Sequence, residues 1–230
     1  LRLVYLDQNY ASRISKFLLG LPHNGAFGVL WAALQEAADR GAWLAPPSPF
    51  HVLELHGGYL LPTFKAIFSR LSGGFWVRPW QDVVRCQAER GGVALEDFLT
   101  DRGHWDRPAD LWPLWDLLDL ELEGSFYRRA ERVAGFVSDR LGLGERGVSL
   151  PFVRILSRLL AFRSLERTRH ERLSDLVDVL MAATTWPYVD ILATDRYLKE
   201  ALRRVGYGEG VFSGRSRDVL DLAEKLRMES

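Results

Sequence analysis

Val189-Asp190-Ile191-Leu192-Ala193-Thr194-Asp195-Arg196-Tyr197-Leu198 is the stretch on which the fold turns. Residues 189–193 read as a strand, because the run is short, largely apolar and preceded by the break at Trp186-Pro187. Thr194-Asp195 ends it, and a helix is expected over 197–204. Ser174 is placed to cap a helix over 175–185, which stops before Trp186-Pro187. Beyond the strand, Gly210-Val211-Phe212-Ser213 reads as a short final strand and 217–227 as a closing helix. Strand and helix therefore alternate through the last third of the chain.

The first 58 residues carry the same alternation. Leu3, Val4, Tyr5 and Leu6 form a β-prone run that ends at Asp7, and a helical pattern begins beyond Asn9. Val29, Leu30, Ala33, Leu34 and Ala37 give the apolar stripe of a helix over 27–40, stopped by Gly41. Residues 42–45 read as a second buried strand closed by Pro46 and Pro47. Ser48 then reads as an N-cap with Pro49 at the first helical position, opening a helix that carries His51, Glu54 and Leu55. Between 60 and 172 the pattern is helical, broken at Gly73-Gly74, Gly91-Gly92, Gly103 and Pro108. Residues 112–141 suggest one or two helices and 151–169 another, with no strand pattern of comparable strength. The expected fold is a single α/β domain over 1–230: a central parallel sheet flanked by helices, built from 1–58 and 172–230, with a large helical insertion over 59–171.

Composition narrows the class. The chain has 230 residues, 47% of them hydrophobic, with 8 Trp and 12 Phe, so a sizeable core is available and wholesale disorder is excluded. Thirty basic and thirty acidic side chains cancel, which removes any bulk attraction to nucleic acid or an anionic membrane. Cys86 is the single cysteine, so neither a disulfide scaffold nor a cysteine-built zinc site fits within one chain. No run approaches the length of a membrane span, and the leading apolar run is too short for a secretory signal. A soluble, cytoplasmic protein without membrane partners is the expectation.

Asp7 and Asp195 each follow a β-like run, and residues just past the carboxyl ends of parallel strands line the ligand crevice of an open sheet. Glu54 and Asp178, on neighbouring helices, are placed to join them. Four crowded carboxylates raise one another's pKa. Hard divalent cations such as Mg²⁺ or Mn²⁺ remove that penalty, and such a site suits phosphodiester hydrolysis by a metal-bound water.

The segments YLDQN (5–9), PFHVLEL (49–55), DVLMAAT (178–184) and ILATDRYL (191–198) resemble the four signature regions of the PIN-domain nucleases. The resemblance covers about half of the chain, residues 1–58 and 172–230. It implies a metal-dependent ribonuclease with Asp7, Glu54, Asp178 and Asp195 as catalytic metal ligands for Mg²⁺ or Mn²⁺. The same resemblance implies RNA, or DNA, as substrate. A homodimer and an antitoxin-like protein are further candidate partners, and a toxin–antitoxin role comes within reach. Asn9 and Thr194 are placed to hold the carboxylates or a bound water, Asp175 to back up Asp178, and Arg196 to touch phosphate.

Each of these residues has a plainer role open to it. Asp7, Asp175 and Asp195 all sit where a helix needs a cap. Arg154, Arg158, Arg163, Arg167, Arg169 and Arg172 form a basic stretch suited either to a nucleic-acid backbone or to a solvated helix face. His51 and His56 flank Glu54 without the spacing of a zinc motif, and His104 and His170 are isolated. Trp105, Trp112 and Trp115 more often mark core or interface than base-stacking platforms. Three rivals to the nuclease therefore stand: a catalytically degenerate PIN-like module binding nucleic acid or protein, a carboxylate-based phosphohydrolase of another class, and a structural protein whose aspartates are only caps.

Overall fold

The computed structural model describes residues 1–55, 58–166 and 173–229. The chain opens with β1 (Arg2–Leu6), α1 (Gln8–Leu18), α2 (Ala26–Asp39), β2 (Trp43–Leu44) and the short α3 (Pro49–Glu54). The middle follows with α4 (Leu61–Leu71), β3 (Trp76–Val77), α5 (Trp80–Arg90), α6 (Leu95–Phe98), β4 (Leu99–Thr100), a 3₁₀ segment over Trp112–Asp119, α7 (Phe126–Arg140), a second 3₁₀ turn over Glu145–Ser149, and α8 (Pro151–Ser164). It closes with α9 (Leu173–Thr185), β5 (Ile191–Thr194), α10 (Arg196–Arg204), β6 (Val211–Ser213) and α11 (Ser216–Met228).

Four strands form one parallel sheet in the order β2-β1-β5-β6. The register pairs Leu6 with Ala193 and Thr194 with Ser213, so β1, β5 and β6 end side by side. The Asp7 N–H continues the ladder to the Ala193 carbonyl at 2.9 Å. This is the α/β architecture with a helical insertion that the sequence pattern suggests.

The alternation of side chains on β1 explains why both faces must be covered. Leu3 and Tyr5 point into one buried cluster with Leu192, Phe152, Leu156, Leu159 and Leu180. Val4 and Leu6 point the other way, into a cluster with Ile191, Phe27, Leu30, Leu34, Leu222 and Leu226. The second face is closed by α1, α2 and α11, and the first largely by α5, α7, α8 and α9.

Local chemistry sets the ends of the elements. Asp7 caps α1 by accepting from the Tyr10 N–H at 3.1 Å, and Asp195 caps α10 by accepting from the Leu198 N–H at 2.7 Å. Ser48 caps α3 in a box closed by His51, whose Nδ1 accepts from the Ser48 N–H at 3.0 Å.

Three expectations shift. Residues 112–141 hold a 3₁₀ segment and one α-helix, because Pro113 and Gly124 interrupt the run. The helix expected over 151–169 is described only to Ser164. A small antiparallel pair, β3 with β4, lies in the middle where no strand was expected; two-residue strands leave almost no periodicity to read. Among the described residues no helix is long and apolar enough to cross a membrane.

Candidate binding face at the carboxyl edge of the sheet

The sheet brings Asp7 and Asp195 to one edge because each is the first residue after a neighbouring parallel strand. Tyr5, at the end of β1, donates to or accepts from Ser48 Oγ at 2.6 Å, and His51 Nε2 reaches the Leu6 carbonyl at 2.7 Å. His51 Nδ1 is an acceptor here, so Nε2 carries the proton and donates. Burial holds the His51 pKa down at about 4, so the ring stays neutral at ordinary pH. This buried Tyr5–Ser48–His51 network pins α3 to β1. Glu54, the last residue of α3, is thereby carried to the edge.

Asp178 reaches the same place from α9. Tyr5, Asp7, Gln8, Asn9, Glu54 and Asp178 line one narrow cleft with Val177 and Met181. Gln8 lies against Glu54. With its amide nitrogen turned inward it donates to Oε2 at 2.9 Å and Oε1 at 3.1 Å.

Among the described residues none of Asp7, Glu54 and Asp178 forms an ion pair, and burial dominates their electrostatics. Burial pushes Asp7 up to about 6 and the charge of Asp195 adds to the rise, while Thr194, the Tyr10 N–H and Asn9 hold it down by hydrogen bonding. Glu54 is open to solvent on one side, yet the atoms packed around its carboxyl, followed by the charges of Asp178 and Asp7, push it up to about 8. Burial again leads for Asp178, raised to about 7, with Asp195, Asp7 and Asp175 adding and Arg163 opposing. At neutral pH this edge therefore holds protons.

The metal-dependent nuclease is overturned at this point. Among the described residues, no group of three or more His, Cys, Asp or Glu side chains is placed to hold a metal ion. The reason lies in what the carboxylates already do. Asp7 and Asp195 spend oxygens on helix caps, Gln8 covers Glu54, and the space between the side chains is about 10 Å³. That is at the lower limit for one water. A Mg²⁺ or Mn²⁺ centre on Asp7, Glu54, Asp178 and Asp195 does not fit these residues. With it go the metal-dependent hydrolase and the toxin nuclease that depended on that centre.

The other candidate residues separate. Asn9 and Thr194 both hydrogen-bond Asp7. Asp175 is buried and ion-pairs with the equally buried Arg163. Arg196 is exposed, in a shallow pocket with Lys199, Arg215 and Asp218. Of the basic stretch, Arg163 is interior, and Arg158 is tied to the Val205 carbonyl at 3.3 Å and lies over the Tyr207 ring. Arg154 is exposed. Arg167, Arg169 and Arg172 lie outside the described residues, as do His56 and His170.

Trp112 and Trp115, which read from sequence as core or interface residues, stand beside the acids. An apolar groove of about 660 Å³ is lined by Leu53, Leu111, Trp112, Trp115, Leu173 and Val177, with Glu54 at its rim. Trp112 is 74% exposed and Trp115 40%, so two large rings stand in solvent next to the carboxylates. The Trp-Pro-Leu-Trp signal was visible at 112–115, but nothing in it says which surface the rings face.

Comparison with protein-family models, with curated proteins and with solved structures gives no match in any of the three.

Proposed function

We propose that this chain is a PIN-like domain acting as a protein-binding module without metal-dependent catalysis. Its occupant is a partner segment that sets an Arg or Lys beside bulky apolar side chains. One observation carries the reading: Glu54 and Val177 are walls of both the acidic cleft and the apolar groove, so the two form one continuous face. Exposed tryptophans in a groove are the residues most often found at the energetic centre of interfaces. Among the described residues none of Asp7, Glu54 and Asp178 forms an ion pair, and a guanidinium or ammonium from a partner supplies one. Nucleic acid is disfavoured as the occupant, because phosphate would meet the acids while Arg158 and Arg163 are engaged internally.

The raised acid pKa values give the reading a signature. A bound cation favours the ionised carboxylates, so binding releases protons and tightens as pH rises from about 6 to 8. Fluorescence titration with a short labelled peptide of Leu and Arg, against its Leu and Glu counterpart, tests this. The Arg peptide is expected to bind, more tightly at the higher pH, and the Glu peptide not to. Trp112→Ala/Trp115→Ala is expected to weaken binding about tenfold or more. Equal binding of the two peptides, or an unaffected double variant, removes the proposal. So does divalent-cation-dependent RNA cleavage that disappears in Asp7→Asn.

A further inference from the structure

A second cleft, of about 490 Å³, lies on the other side of the 108–110 segment and carries the opposite charge. Arg78, Arg102, His104 and Arg107 line it, together with Trp76 and Pro79. Arg78 is half-buried, and its guanidinium donates to the neutral Leu99 and Glu96 carbonyls at 3.0 and 3.2 Å, which orients it without cancelling its charge. The one ion pair of Arg102 among the described residues is with Asp101 at 4.0 Å, with both side chains largely in water. The Arg107 guanidinium and the His104 ring have no hydrogen-bond or ion-pair partner among the described residues. Two acids share the wall: Asp82 pairs with Arg85 at 3.2 Å, while Asp110 accepts from the Trp112 N–H at 3.0 Å and keeps its charge, so three guanidinium groups face one carboxylate without an ion-pair partner among the described residues. In a chain with zero formal net charge, this is a local surplus of positive charge.

The loop that presents these groups is fixed from beneath. Gly103 lies flat on the Trp76 ring, where an added Cβ would come within 2.0 Å of the indole. Trp105 then meets Trp76 edge-on at 4.9 Å, and the Ala109 N–H bonds the Pro49 carbonyl at 2.9 Å. The backbone that carries Arg102 and His104 is thus fixed on either side of a backbone-on-ring contact, so a ligand has to order only the exposed side chains and not the loop.

We infer that this cleft is a binding site for a small phosphate ester, with Arg78, Arg102 and Arg107 around the phosphoryl group and the Trp76–Pro79 wall against an apolar or planar body. Guanidinium groups match phosphate oxygens in geometry and charge. The cleft volume falls in the range of small-molecule sites. The inference does not depend on the peptide-binding face, since none of the four basic side chains lines the tryptophan groove.

Isothermal titration with phenyl phosphate and with inorganic phosphate tests it. Phenyl phosphate is expected to bind at millimolar concentration or below, and several-fold more tightly than inorganic phosphate. Arg102→Ala/Arg107→Ala is expected to weaken it about tenfold or more with an unchanged thermal transition, because neither side chain is part of the core. Gly103→Ala, which lifts the loop from Trp76, is expected to weaken it as well, and Trp112→Ala/Trp115→Ala to leave it intact. Absence of binding, equal affinity for the two probes, or an unaffected arginine variant overturns the inference.

Discussion

Asp7 does two jobs whose demands conflict, and the conflict can be measured. As the N-cap of α1 it accepts from the Tyr10 N–H, which favours the ionised form, while burial at the strand end raises its pKa to about 6. A carboxyl whose folded pKa lies above its unfolded one binds more protons when folded. Its contribution to stability is therefore present below the unfolded value near 4 and is lost as pH rises through about 6. Asp7→Asn keeps a capping oxygen and removes the charge. It is expected to be nearly neutral at pH 4 and to stabilise by roughly 1–3 kcal/mol at pH 8, read from urea unfolding at the two pH values. A gain that is equal at both, or a loss at pH 8, contradicts this account. The residues 5–9 were legible because an apolar run ending in Asp-Gln-Asn announces a strand end. What was not legible is that the Asp7 oxygens are occupied by Tyr10, Thr194 and Asn9, which is why four acids in the right order do not make a metal centre.

At the scale of one element, α3 shows how six residues place a distant group. A helix this short has little stability of its own and depends on its cap and its packing. Ser48 Oγ accepts from the His51 N–H and contacts both the Tyr5 hydroxyl and His51 Nδ1, all of them buried. Ser48 and Pro49 were readable as the start of this helix from sequence alone. The role of His51 was not, since a histidine beside a glutamate reads as surface or structural until the Leu6 carbonyl is seen against its ring. Ser48→Ala removes the cap and strands the buried Tyr5 hydroxyl, while His51 Nδ1 keeps the Ser48 N–H, so a loss of roughly 1–3 kcal/mol is expected in chemical denaturation. As α3 loosens from β1, the Glu54 pKa is expected to fall from about 8 toward that of an ordinary glutamate, followed by carboxyl-carbon NMR titration. A loss of stability with the Glu54 pKa unmoved would show that Ser48 stabilises the helix without positioning its acid.

For the whole molecule, the two ends of the chain read more clearly than the middle, and the structure explains the difference. At the ends β1, β2, β5 and β6 are each followed directly by a helix, so topology constrains where those helices pack; α2, which follows α1, packs with α11 over the Val4–Leu6 face of the sheet. In the middle, amphipathic helices follow one another with no strand among the described residues between the short β4 and β5, and an apolar stripe does not name its partner. The stripe turns out to face the sheet: Val83, Val84, Phe98, Val133, Val137, Phe152, Leu156 and Leu159 share one buried cluster with Leu3, Tyr5 and Leu192. Most of the insertion is thus one layer over the sheet, while α4 sets Ile67 and Leu71 into the opposite cluster, and the strands that this layer covers would otherwise expose large apolar side chains to water. Trp80 stacked on Phe152 at 5.6 Å and Phe98 on Tyr188 at 4.6 Å tie its parts together and to the segment before β5. A chain in which 58 is joined directly to 172 keeps every strand of the main sheet but loses that layer. It is expected to show no cooperative thermal transition and to bind the apolar dye ANS strongly, because Leu3, Tyr5, Leu180 and Leu192 lose their cover. A soluble product with a sharp transition would mean instead that 1–58 and 172–230 close on themselves, with the helical middle only resting against them.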